Sequence, residues 1–196
     1  MADLKTLNVI LNSTGFKFIQ NTRINIEGAA YQPLDAPPSF FYFVVVNRSS
    51  GIVVKDYCVN CVTPPSNLPE ALQEYDKPDY IWLFVSGNMG VTSFPTGGLY
   101  DFFVERLGAG EGFGTFLQVV QQGQETGIEN FSCALAAVPG EPDKSIESHY
   151  AGSNPFHNAS LIIQLVPRKT KGGKELLVPS AEAPQRIRVP ADDSED

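Results

Sequence analysis

Cys58 and Cys61 stand at the CxxC interval found in redox and zinc sites. A redox pair works when its first thiol sits at a helix N-terminus, where the dipole lowers the pKa. Here the pair closes the apolar run VVKDYCVNC, and no helical pattern begins before about Leu68. Zinc needs two further ligands, which Cys133 with His149 or His157 would have to bring from distant segments. Structural thiols are the favoured reading, with metal and redox chemistry as alternatives. No metal and no cofactor are expected.

His149 and His157 are the only histidines. Glu147, Ser148 and Ser153 beside them suggest a hydrolase. No G-x-S-x-G elbow supplies a nucleophile, however, and nothing places an acid against either ring. Both histidines are expected to be solvated loop side chains. The glycines from Gly108 to Gly114 follow no strand pattern and lack the Lys-Ser/Thr of a phosphate loop, so they read as a hinge. Asp192-Asp193-Ser194-Glu195-Asp196 reads as a solvated run rather than a cation site. The Asn-x-Ser/Thr triplets at Asn12, Asn47, Asn130 and Asn158 count only where a secretory leader exists, and residues 1–15 show no basic and apolar leader pattern.

The elements that must position these groups are mostly strands. Phe40 to Val46, FFYFVVV, is an aromatic and β-branched block fitting a central strand covered on both faces. Asn47-Arg48-Ser49-Ser50-Gly51 supplies a turn, with Gly51 able to take positive φ, and Ile52 to Val59 returns. Leu7, Val9 and Leu11 alternate in a first strand, and Ile24 and Ile26 in a short one. Residues 28–38 form a loop. A short helix near Leu68-Pro69-Glu70, capped by Ser66 or Asn67, must end by Asp76 ahead of Pro78. DYIWLFVS, from Asp79 to Ser86, is the second strongly apolar strand.

Gly87 to Gly98 is long for a plain connection and therefore a functional candidate. Leu99, Phe102, Phe103 and Leu107 have helical spacing, stopped by Gly108. Phe116 to Gln122 fits strand or helix. NFSCALAAV and ASLIIQLV, from Asn130 and Ala159, are further strands, with residues 141–156 a polar loop between them. After Val166 the chain turns to Lys, Gly, Pro and acids.

A chain of 196 residues with 42% hydrophobic residues suits one domain with a tail, and 15 prolines with 17 glycines suit short strands and many turns. A net charge of −8 argues against nucleic acid and anionic membranes as partners. No run of apolar residues is long enough to span a bilayer, so a soluble chain made in the cytoplasm is expected. Three cysteines fit a reducing compartment.

Taken in order, several segments make the chain resemble the interleukin-like EMT inducer (ILEI, PANDER-like) domain family over roughly residues 5–166. They are Ser13-Thr14-Gly15, the strand FVVVNRSSGIVV with Lys55-Asp56-Tyr57 after it, YIWLFVSG, LYDFFVERLGA, and FSCALAAVPG. The resemblance implies antiparallel strands in two layers with short helices, and a domain without enzymatic activity. Its members include secreted cytokine-like proteins, a sugar-recognising glycosyltransferase stem domain, and bacterial and phage proteins. Asp56 matches the family's acidic position after the central hairpin. The Arg-Asp pair expected before the late strand is absent, where Asn130-Phe131-Ser132 stands, and the charged position after the second strand reads Ser86-Gly87-Asn88-Met89. Three cysteines cannot rebuild the disulfide framework of animal members. A bacterial or phage branch fits better.

These readings define an α+β, mostly β fold: a two-layer antiparallel body over 1–166 with two or three short helices, then an extended acidic tail over 167–196. The function expected is a non-enzymatic structural or adhesive component of a larger assembly such as a phage tail, virion or injection apparatus. Its partners would be protein subunits, a second copy among them. A lectin-like glycan module is the alternative and a small hydrolase a third reading. Asp56, Tyr57, Asn88 and Tyr100 are the candidate ligand-binding residues, Tyr31 and Tyr80 being further stacking faces. Leu176, Leu177, Val178, Ile187 and Val189 could add a strand to a partner's sheet.

Overall fold

The computed structural model describes residues 4–122, 130–152 and 157–181. Strand β4 (Phe40–Asn47) has every residue from Phe40 to Val46 buried, as its unbroken apolar sequence requires. The turn after it holds Gly51 at φ 72°, and β5 (Val53–Asn60) returns antiparallel. On the other side β4 pairs with β6 (Tyr80–Gly87), Val45 lying opposite Trp82, so the two most apolar runs of the sequence are neighbours. β8 (Asn130–Ala137) joins β6, and β9 (Ile146–Gly152) joins β8. The two-residue β7 (Met89–Gly90) also pairs with β8.

A second group forms around β1 (Leu7–Thr14), which pairs with β10 (Asn158–Lys169) and β2 (Arg23–Ile26). β3 (Ala29–Tyr31) extends β2, and β11 (Glu175–Ser180) extends β10. The groups meet at one parallel rung, Thr14 opposite Gly87. The result is a single 11-stranded sheet that is mixed, not wholly antiparallel as the sequence suggests. The two layers are the halves of this sheet, curled onto each other. Val9, Leu11, Ile24, Ile163 and Leu177 of one half pack with Tyr42, Val44, Leu83 and Val85 of the other. The junction needs glycine at position 87, because a Cβ there would run into the Phe40 ring.

Helices cover the remaining face of the β4–β6–β8 half. They are α1 (Glu70–Gln73), α2 (Gly98–Asp101), which runs on as a π-helical turn over Phe102–Arg106, and α3 (Gly110–Gln122). Phe41, Phe43, Trp82 and Phe84 meet Phe103 and Phe113 there; Phe103 stacks on Phe113 at 4.4 Å and meets Phe84 edge-on at 4.8 Å.

Several segments differ from the sequence reading. The glycine-rich hinge is the start of α3: burial of Phe113 and Phe116 outweighs the low helix propensity of Gly110, Gly112 and Gly114. Gly112 permits close approach to β9, since a Cβ would strike the Glu147 carboxylate and the His149 ring. The expected polar loop at 141–156 contains β9, and β10 continues past Val166 to Lys169.

Candidate functional site

The side chains singled out for ligand binding do not converge. Asp56 and Tyr57 are successive residues of β5, so the pleat turns them to opposite faces. Asp56 is exposed and accepts a 2.7 Å hydrogen bond from Tyr42 Oη; burial first, then this bond, pushes the Tyr42 phenol above its usual range. Tyr57 is half-buried on the helix side, with Lys55 Nζ 5.7 Å from its ring centroid. Asn88 turns the chain after β6 at φ 49°, donating from Nδ2 to Pro38 O at 2.6 Å. It lies five positions along the strands from the Asp56 rung, roughly 16 Å at about 3.3 Å per residue. Tyr100 belongs to the aromatic layer, 6.1 Å from Phe94 and 6.5 Å from Phe113.

The segment expected to reach a partner's sheet is already used. Leu176, Leu177 and Val178 lie in β11, paired with β10, and Leu177 is fully buried. The outer edge of β11 is closed by Arg48 from the β4–β5 turn: Leu177 N–H donates to Arg48 O at 2.9 Å, and Arg48 Nε donates to Leu177 O at 2.8 Å. Pro179 offers no N–H on that edge. Arg48 is 2% exposed and also donates through Nη1 to Pro78 O at 2.6 Å and to Glu141 Oε1 at 3.2 Å. Lys144 pairs with the same carboxylate. Burial alone would raise the Glu141 pKa, but its bonds and charges from Lys144 and Arg48 prevail and hold it low. A cleft of about 400 Å³ lined by Arg48, Lys144, Arg168 and Lys169 lies beside this junction. Ile187, Val189 and the acidic run 192–196 lie outside the described residues.

At the other end of the strand order, β5 is open. Among the described residues β4 is the only strand paired with it and the only element in extended contact with it. β9 also borders the sheet, but α3 and β10 pack against it, and β3, paired with β2 alone, is a border of three residues against the eight of β5. Cys61 N–H donates to Ser39 O, which fixes the alternation of the β4–β5 ladder. Lys55, Tyr57 and Val59 therefore turn their main-chain groups toward β4, and Asp56, Cys58 and Asn60 turn theirs outward. A bulge at Val54 shifts the register where β5 begins, and no proline interrupts the strand after it. Val54 is 40% exposed before this stretch and Val62 55% exposed after it.

Two titratable clusters sit on β8 and β9, correcting the expectation of solvated loop histidines. Cys133 and His149 are cross-strand partners, and Glu147 Oε1 lies 3.9 Å from Cys133 Sγ and 3.4 Å from His149 Nδ1. Glu147 also accepts from Gly112 N–H at 2.8 Å. The carboxylate, not the imidazole, faces the thiol. Cys133 is fully buried, and burial and then the Glu147 charge hold its thiol well above the usual range, the reverse of an activated nucleophile. On the opposite face Ser132 Oγ and His157 Nδ1 are 2.6 Å apart, and the Tyr150 ring stacks on His157 at 5.1 Å. His157 Nε2 is buried with no hydrogen-bond partner among the described residues, and burial lowers the imidazole pKa. Ser153 lies outside the described residues.

Cys58, Cys61 and Cys133 are free thiols; burial pushes Cys58 up to about 11 and Cys61 to about 12. Among the described residues no group of three or more His, Cys, Asp or Glu is arranged to hold a metal ion. No described helix is long and apolar enough to cross a membrane. No protein-family model matches the chain, and no curated protein matches it either.

Of the groups that organise these places, the sequence hid Arg48 most fully. It reads there as one polar residue of a turn. The Ser132–His157 pair was hidden too, since only the alternation of β8 and the entry into β10 bring those positions together.

Proposed function

We propose that this chain is a non-enzymatic interaction domain, a structural or adhesive subunit of a larger assembly such as a phage tail, virion or injection apparatus, that docks through the open edge of β5. The observation carrying this reading is the outward main chain of Asp56, Cys58 and Asn60 on a terminal strand that no other strand of the described chain covers. Such an edge accepts an extended segment by strand addition. The opposite edge, β11, has its exposed groups capped by Arg48 and Pro179, so the contrast within one sheet supports a use for β5. A non-catalytic role is favoured because Cys133 is sealed in the core and Ser132–His157 is buried without an acid at Nε2 among the described residues. The lectin-like alternative has less support, because Asp56, Tyr57, Asn88 and Tyr100 face different ways.

Cys58→Pro tests the reading. The substitution removes an outward N–H that β4 does not use, so the sheet should survive. The wild-type chain is expected to retain a partner from an extract of its source, and Cys58→Pro to lose it. Equal retention by a folded Cys58→Pro chain would rule the edge out as the docking element.

A further inference from the structure

Three segments distant in sequence enclose the cleft of about 400 Å³ beside the Arg48 junction: the β4–β5 turn, residues 142–146, and the outer face of β10 and β11. Arg168 is the cross-strand partner of Leu176, and Val178 follows Leu176 by two positions, so these three share a face while Leu177 turns into the core. Arg48, Lys144, Arg168 and Lys169 line the cleft, and Asp143 is the one acid among the described lining residues. Behind them Glu141 serves Arg48 and Lys144 with a single carboxylate, and Lys169 stands opposite Glu175 in the ladder. A positive excess remains, on a chain whose net charge is −8.

The most buried of these cations has a donor left over. The Arg48 side chain is 3% exposed; Nε and Nη1 serve Leu177 O, Pro78 O and Glu141, and Nη2 makes no hydrogen bond among the described residues. A charged donor withdrawn from bulk water and left unmade is costly. Nη2 is not sealed in as His157 Nε2 is, so the space it meets is the cleft that Arg48 lines.

We propose that this cleft binds a small organic phosphate. The phosphate takes Arg48 Nη2 and the charges of Lys144 and Arg168, contributed by three segments, which suits an anion with three outer oxygens better than a carboxylate with two. Its apolar body lies on Leu176, Val178 and Pro179, and the volume is that of a small-molecule pocket. The acidic run Asp192 to Asp196 carries charge for the same cations but no apolar side chain for these walls, which favours a free ligand. The site is separate from the β5 edge, and Cys58→Pro should leave it unchanged, so failure of edge docking and failure of this site are read independently.

The experiment is calorimetric titration of the full chain with phenyl phosphate, inorganic phosphate, benzoate and phenol at fixed ionic strength. Phenyl phosphate is expected to bind most tightly, inorganic phosphate and benzoate more weakly and phenol not at all, with the phenyl phosphate affinity falling as salt is raised. Lys144→Gln and Arg168→Gln, at partly and fully exposed positions, should each weaken it by roughly 3- to 10-fold. Leu176→Ser should erase the advantage of phenyl phosphate over inorganic phosphate. No binding of phenyl phosphate at millimolar concentration overturns the proposal, as does wild-type affinity in both cation variants. Benzoate binding as tightly as phenyl phosphate overturns the phosphate assignment. If phenyl phosphate binds only to a chain carrying Asp192→Asn, Asp193→Asn, Glu195→Gln and Asp196→Asn together, the acidic run is the occupant and the proposal fails.

Discussion

At the residue scale, the buried ionisable groups have consequences that pH can read. Burial raises the Glu147 pKa against the opposing His149 charge and Gly112 N–H. A carboxyl raised above its unfolded value of 4.5 favours the fold below that value and withdraws this contribution as pH climbs through the folded pKa. Glu147→Gln keeps an acceptor for Gly112 and carries no charge. It is expected to unfold at a higher temperature than wild type at pH 7, with the difference shrinking toward pH 4, as thermal melts at both pH values would show. His157 acts in the opposite sense. Its pKa is depressed below 6.5 by burial, so its contribution is present above 6.5 and is lost as pH falls through the folded value. Hydrogen exchange around β8 should accelerate over that window in wild type, and His157→Gln should show a flatter response. The sequence marked both groups as candidates for chemistry but not as buried, because burial here is conferred by strands that pair across long separations.

At the element scale, strands announced by apolar runs were readable and strands held by main-chain bonds were not. FFYFVVV and YIWLFVS could only be interior strands, and the structure pairs them. IESHYAG has no alternation, since its residues are all half-buried and its place depends on the ladder to β8. The helix beginning at Gly110 was hidden because three glycines mask a Phe113–Phe116 face that only tertiary packing rewards. The tail expected over 167–196 starts too early because Leu176-Leu177-Val178 is a short apolar run set among Lys, Gly and Pro, yet Leu177 is fully buried and Arg48 ties it down. Arg48→Ala removes its bonds to Leu177 O, Pro78 O and Glu141 and should cost about 3 kcal/mol in denaturant unfolding, with β11 amides exchanging first. Glu141 gives the same junction an acid limit. Its lowered pKa means a contribution held above 4.5 and lost as pH drops through the folded value, so β11 should loosen in acid before the central strands do.

At the scale of the whole molecule, the curl of the sheet sets two cores on either side of the β4–β6–β8 half. One is aliphatic, between the sheet halves, and the other is aromatic, under the helices. Phe103 touches Phe41, Phe43, Phe84 and Phe113, so Phe103→Ala should cost about 3–5 kcal/mol by chemical denaturation. The general class, α+β and mostly β, was legible because aromatic and β-branched runs separated by glycine and proline leave few other folds. The joining of both halves into one sheet was not, since it hangs on Thr14 meeting Gly87, a rung with no signature in either segment.

β1 lies between β2 and β10, and its last residue meets the end of β6. On the ribosome this first strand emerges long before the segment beginning at Asn158 that must lie beside it, on the order of ten seconds or more at ~5–20 residues per second. Until then Val9 and Leu11 have half a groove to sit in, and closure of the aliphatic core waits for β10. Folding of this chain is therefore a late event, slow by the measure of its long-range pairings, and a nascent chain halted before β10 should be the form that chaperones hold.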